Sequence, residues 1–297
     1  MNGNITTILN GTIVSGGTQN RYTQTNANLS VNGFLFDVSF TMPSGYTGKW
    51  NFLKDIYVNI TKRIGMGNGG AVALLSNVSL YDLMSYSDYV AGVSMSGTDF
   101  TAGQVCRISG YVDIGYFSMT SRDALEVTLN VSDRTNFPSA NVDFEISSTF
   151  EHVMGTMYKC YQSANATGAD QPYKNVLAVA YIGQGVNADF ITNQQVGGTQ
   201  SVNINSCIAM ANACGNFEFF TDFGVAYEEP FGLSQDVTIR CPNTNTPSLL
   251  VVTMGFYPEE TVNSVVNARA EKDSLIAMIK TNDPDKYNYL RLIGLIQ

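Results

Sequence analysis

The strongest constraint in this sequence is a period of two. Over residues 34–42, Phe34, Phe36, Val38, Phe40 and Met42 fall on one side, and over 55–61 Ile56, Val58 and Ile60 do the same. The pattern returns over 105–117, 124–131, 140–146, 175–182, 201–204, 217–227, 236–241 and 249–257. Successive side chains of an extended chain point to opposite faces, so this period describes ribbons with one buried and one wetted face. β-branched and aromatic residues fill the runs, and Gly, Asn, Pro and Asp separate them. Many short strands divided by turn residues predict an all-β chain, folded as sandwiches, jelly rolls or barrels.

Two segments break the alternation. Leu80, Leu83, Met84 and Val90 have helical spacing, with Ser79 placed to cap a short helix inside a loop. Over 259–280, Val262, Val265, Val266, Ile276 and Ile279 predict a longer helix, capped at Thr261 and ended by Asn282, Asp283 and Pro284. The tail, 287–297, is apolar enough to dock on something. Residues 1–260 hold 11 basic and 21 acidic residues, whereas 261–297 hold 5 and 4, so the last segment differs in charge as well as in helicity. The first 30 residues, rich in Asn, Thr and Gly, read as a flexible arm that orders only in an assembly. The expected layout is an arm over 1–30, a first β domain over 31–148, a second over 149–260, and a C-terminal helix and tail over 261–297.

Composition narrows the function. Only 14% of the 297 residues are charged, where a soluble domain has roughly 25%. Uncharged polar residues, including 28 Asn, fill the gap. Charges are cheap in water and costly in contacts, so this surface suits extensive contact with other protein. A net charge of −9 opposes nucleic-acid binding, and no apolar run approaches the ~20 residues of a membrane span. The first residues have neither a basic nor an apolar signal region, which predicts cytoplasmic synthesis. The five Cys, at 106, 160, 207, 214 and 241, follow no zinc spacing and read as reduced thiols. The seven Asn-X-Ser/Thr sequons then carry no glycan.

An internal repeat accompanies the alternation. At an offset of 109, residues 111–139 match 220–248 at Asp113/Asp222, Gly115/Gly224, Thr135/Thr244, Asn136/Asn245, Pro138/Pro247 and Ser139/Ser248. Tyr111 faces Phe220, and at an offset of 110 Val127, Thr128 and Leu129 match Val237, Thr238 and Ile239. An apolar run follows each copy, from 142 and from 249. The chain therefore reads as two similar β domains in tandem.

Chemistry is sparse. His152 is the single histidine, at the expected junction between the domains, and a linker position suits it better than a triad. Glu228–Glu229 and Glu259–Glu260 are adjacent carboxylates, but strand neighbours point to opposite faces, which suits glycoside hydrolysis poorly. Asp113 and Asp222 could ligate calcium, or make a turn or structural hydrogen bond; the second reading is preferred. The Gly-rich stretch 64–70 lacks the Lys-Ser/Thr of a phosphate loop, and Lys62–Arg63 is an isolated basic pair. No catalytic, cofactor or metal residues are assigned, and no enzymatic activity is expected.

Several details resemble the double jelly-roll major capsid proteins of tailless, lipid-containing icosahedral bacteriophages, similar to those of Flavobacterium-infecting and marine phages. An early strand ends in Met42, Pro43, Ser44, Gly45 and Tyr46; the strand 56–60, a Gly-rich turn and a short helix over 81–89 follow. The resemblance spans roughly residues 30–260. It implies two tandem eight-stranded jelly rolls with short helices in loops, and no enzymatic residues. It further implies a homotrimer of pseudo-hexameric outline that tiles an icosahedral shell in the virion. Its partners would be neighbouring capsomers, penton and minor capsid proteins and an internal lipid membrane, without sequence-specific nucleic-acid binding. A trimeric phage spike or receptor-binding protein, or a carbohydrate-binding β module, is the alternative.

Overall fold

The computed structural model describes residues 4–13, 19–24, 29–63, 70–91, 100–120, 123–151, 157–164, 170–182, 189–194, 198–203, 219–221, 224–240, 249–256, 276–281, 284 and 286–288. Residues 1–255 belong to one compact unit and 256–297 to another.

Eight strands occupy the first half of the larger unit: β1 (Asn4–Ile13), β2 (Gln19–Gln24), β3 (Leu29–Thr41), β4 (Ile56–Arg63), β5 (Ala71–Ser79), β6 (Val105–Met119), β7 (Ala124–Val131) and β8 (Val142–Glu151). They pair as two four-stranded sheets, β1-β8-β3-β6 and β2-β7-β4-β5. Hairpins handed from one sheet to the other in this order make a jelly roll. The alternation sets the inner faces. Along β4, Ile56, Val58, Ile60 and Lys62 are buried while the intervening residues are half exposed. On the other sheet Phe34, Phe36, Val38 and Phe40 of β3 and Phe144 and Ile146 of β8 are buried.

The second half repeats this order among its described residues with β9 (Met157–Ala164), β10 (Asp170–Ile182), β11 (Asp189–Gln194), β12 (Gly198–Asn203), β13 (Phe219–Thr221), β14 (Gly224–Arg240) and β15 (Leu249–Phe256). β10 and β14 each serve both sheets. The start of β10, from Asp170 to Tyr173, pairs with the end of β14, Val237–Arg240, and β11 and then β12 continue that sheet. After register shifts between Tyr173 and Ala178, the rest of β10 lies between β15 and the start of β14, and β9 flanks β15. The orders β9-β15-β10-β14 and β10-β14-β11-β12 match those of the first roll strand for strand. The fold is thus all-β with two tandem jelly rolls.

The repeat maps onto this correspondence. Val127–Leu129 and Val237–Ile239 lie in β7 and at the end of β14, equivalent strands of the two rolls. β8 and β15 follow them. The start of the repeat diverges: Asp113–Gly115 sits inside the continuous β6, whereas Gly224 begins β14 and pairs with Thr221 of β13.

Two expectations are corrected. Within the expected arm over 1–30, residues 4–13 and 19–24 form β1 and β2, the first two strands of the first roll, with Ile8, Leu9 and Ile13 buried. Polar Asn and Thr on the wetted side, and a register shift between Thr7 and Leu9, hide the period of two there. The strands β5, β9 and β11 also form where none was expected. The predicted helix over 259–280 lies largely outside the described residues; 276–280 are helical, and the turn continues to Thr281, whose hydroxyl donates to the Ala277 carbonyl at 2.9 Å. The short helix appears as α1 (Leu80–Ala91), with the Asp82 amide donating to the Ser79 hydroxyl at 3.0 Å as its cap.

Candidate assembly seam and the comparisons

The two rolls meet along β9. This strand pairs with β6 at Gly115–Tyr158 and runs parallel to β5 at Leu75–Tyr161, so the first strand of the second roll closes on the free edge of the first. Gly115 makes the approach possible. Its φ is +78°, and a Cβ there would sit 3.2 Å from the Met157 carbonyl oxygen. Asp113 anchors the same point. One of its carboxylate oxygens accepts the Gly115 amide at 3.0 Å, and the other accepts the Lys159 ammonium at 2.6 Å. The Tyr161 hydroxyl donates to the Asp113 carbonyl at 2.6 Å. Ring contacts flank these bonds: Phe117 on Tyr158, with centroids 4.6 Å apart, and Tyr86 of α1 on Tyr161 at 5.8 Å.

Residues 80–87 of α1 are buried on every side, charged and polar ones included. A helix enclosed all round is a core element rather than a surface one, and α1 lies against β4, β5 and β6 of the first roll and β10, β13 and β14 of the second. Its close approach to β6 is at Gly110, where a Cβ would meet the Met84 sulfur at 2.6 Å. The Tyr111 amide donates to the Ser87 hydroxyl at 2.7 Å. Burial near the seam pushes the Cys160 thiol up to about 12 and raises Tyr158 as well, with Cys160 adding to the shift.

At one end of the first roll the loops share a small aromatic core. Phe40, Trp50 and Phe52 are buried and stack edge to face around Phe40 at 5.3 and 5.5 Å. Tyr46 donates to the Asn136 carbonyl at 2.9 Å, tying the Met42–Tyr46 turn to the loop after β7.

The residues singled out in the sequence fall as follows. Asp113 makes the structural hydrogen bonds just described, and a lysine ammonium takes the place a cation would need. Asp222, His152, Glu259, Glu260 and residues 64–69 lie outside the described residues, as do Cys207, Cys214 and Cys241. Glu228 and Glu229 lie on β14, opposite Ala180 and Val179 of β10. Cys106 is buried and in no disulfide. Lys62 is not a surface cation: it is buried, 3.1 Å from Asp123, and donates to the Ser118 carbonyl at 2.7 Å. Its inward place was written in the alternation, one step beyond Ile60. Lys159 and Tyr161 carried no sequence signal, because their role depends on which edge β9 meets. Among the described residues no group of three or more His, Cys, Asp or Glu could hold a metal ion.

No protein-family model matches the chain, and no curated protein sequence does. Solved structures do. A crystal structure of the major capsid protein of Sulfolobus turreted icosahedral virus superposes with a TM-score of 0.55 at 12% identity, covering 88% of this chain and 98% of that one. The same virus's atomic structure gives a TM-score of 0.54 at 11% identity over 91% of this chain and 97% of that one. The fold is that of the double jelly-roll major capsid proteins. The major capsid protein P2 of bacteriophage PM2 aligns over 86% of this chain and 98% of its own, with 9% identity and a TM-score of 0.43.

Proposed function

We propose that this chain is the major capsid protein of an icosahedral virus, a structural protein without enzymatic activity. The observation that carries the reading is the pair of jelly rolls with the same strand order, joined edge to edge in one compact unit. Three copies then present six similar β sandwiches and approximate a hexagon, which tiles a curved shell. The charge-poor composition supports this reading, because broad subunit contacts desolvate few charges.

In this reading the second roll runs from β9 to β15, later than the start expected at 149 because β8 of the first roll extends to Glu151, and 261–297 grips a neighbouring capsomer or the inner membrane. Penton and minor capsid proteins are further partners, and the protein resides in the virion. Among the described residues no helix is long and apolar enough to cross a membrane. Light scattering after size exclusion tests the reading, followed by negative-stain imaging. A mass of three chains with particles of hexagonal outline, or curved shells, is expected. A monomer across a wide concentration range would sink it.

A further inference from the structure

The second roll is seated on a fault in β6. Between the pairs Gly33–Asp113 and Val31–Phe117 the ladder of β3 and β6 slips, so that residues 114–116 of β6 stand opposite Asn32 alone. A bulge bends its strand and re-aims what the strand carries. This one also reverses the alternation: Val112 and Ile114 are buried before it, Phe117 and Met119 after it. Gly115 lies inside the bulge and has Tyr158 of β9 as its partner. Asp113, bonded to Gly115 and Tyr161, fixes the near side. The far side is fixed from within the first roll. The Lys62 ammonium donates to the Ser118 carbonyl at 2.7 Å and lies 4.9 Å from the centre of the Phe117 ring. The same ring takes Tyr158 edge to face at 4.6 Å. Tyr158 in turn covers Gly255 of β15, where a Cβ would come within 2.2 Å of its ring.

We propose that the buried Lys62–Asp123 pair is a positioning device for the joint between the rolls: it holds β6 in the bulged register, and that register seats β9. Strand registers are discrete, and a change of phase sends each side chain to the other face. Without the bulge the alternation would run on from Ile114, turning Tyr116 inward and Phe117 outward. The Phe117 ring would then leave the Lys62 ammonium and the Tyr158 ring together, and Gly115 would not be lifted toward β9. Lys62 favours the bulged register because its two contacts past the bulge, the Ser118 carbonyl and the Phe117 ring, are made there. A buried ion pair is a poor source of net stability, and apolar residues of similar size often do as well. Such residues would fill the space at 62 and 123 but would not select the register. The device lies within one chain, so it works in a monomer as well as in an assembly.

Cys160 reports on the joint, because it lies on β9 between Tyr158 and Tyr161. Its alkylation rate in the folded full-length protein, read by peptide mapping, measures local opening of that strand. In Lys62→Met the rate should rise at least tenfold. In Lys62→Met combined with Asp123→Asn no charge is stranded and part of the stability returns, yet Cys160 should be labelled as fast as in the single variant. Val58→Ala removes apolar volume at another inward position of β4 and should leave the Cys160 rate near that of the native protein. Protection of Cys160 that returns in step with stability in the double variant would overturn the device, leaving the pair a stability element alone. An equal rise in Val58→Ala would do the same. If Lys62→Met does not fold, the double variant supplies the same comparison against Val58→Ala.

Discussion

Replacing Lys62 by methionine is the sharpest probe of the first roll. The lysine occupies the fourth inward position of β4, after Ile56, Val58 and Ile60. Its side chain is 10% exposed and that of Asp123 is 4% exposed. The ammonium donates to the Ser118 carbonyl, lies 4.9 Å from the Phe117 ring centre and faces the carboxylate, which also accepts the Thr120 amide at 2.8 Å. Methionine keeps the stem and the packing but strands a carboxylate in a dry site. Breaking a buried pair from one side costs about 3–5 kcal/mol, a factor of roughly 10² to 10⁴ in the folded ratio. Asp123→Asn should cost a similar amount, since it strands the ammonium. The double variant removes both charges, so its loss should fall short of the sum by about 2–3 kcal/mol. Urea unfolding at one fixed protein concentration measures all three, because association would otherwise shift the apparent stability. A loss below about 1 kcal/mol for Lys62→Met, or strict additivity in the double variant, would refute the buried-pair reasoning.

Gly115→Ala places a Cβ in a left-handed backbone position and against the Met157 carbonyl; it should destabilise the larger unit by about 1–2 kcal/mol and loosen β9, read as faster exchange at 157–161. Thr7 and Ser147 hydrogen-bond the Glu145 carboxylate and hold it below its ordinary value of 4.5. A depressed folded pKa gives stability that is present above the ordinary value and lost as pH falls through the folded one. Glu145→Gln should therefore lower stability slightly at pH 7 and flatten the profile below about pH 4.5, so that the two proteins converge in acid; an unaltered acid limb would count against this. Alkylation followed by peptide mapping should leave Cys160, a neutral thiol near pKa 12, and the buried Cys106 unmodified in the native protein and modified in urea. Rapid native labelling of either would contradict their placement.

How much of this was legible in the sequence depended on whether a signal was local. In the first roll β3, β4, β6, β7 and β8, together with the helix α1 with its Ser79 cap and the apolar strand β15, were readable because each carries its own period, whereas β5 buries residues in pairs rather than alternately. β1 and β2 were not: β1 mixes Asn and Thr with its apolar residues, its inward run Ile8–Leu9 is doubled by a register shift, and β2 is a short, wholly polar-and-Tyr run. In the second roll, β10 and β14 each pass from one sheet to the other, so a single alternation cannot hold along either. Asp113 was visible through the repeat and read as turn chemistry, which its bond to the Gly115 amide fits. Its other partner, Lys159, sits 46 residues away, and the sequence alone gives no reason to join them.

The size of the internal seam follows from the covalent link. β8 ends at Glu151 and β9 begins at Met157, so residues 152–156 alone separate the strands, and a short linker holds its ends at millimolar effective concentration. Docking β9 on the first roll therefore needs little: one bridge to β6, a short parallel contact with β5, the Asp113–Lys159 pair and two ring contacts. The same joint between separate chains must also offset the lost translational and rotational freedom of association, of order 4–15 kcal/mol. A joint built only like the internal one would be too weak. Rolls joined within a chain should thus stay together at any dilution, while rolls joined between chains should separate on dilution.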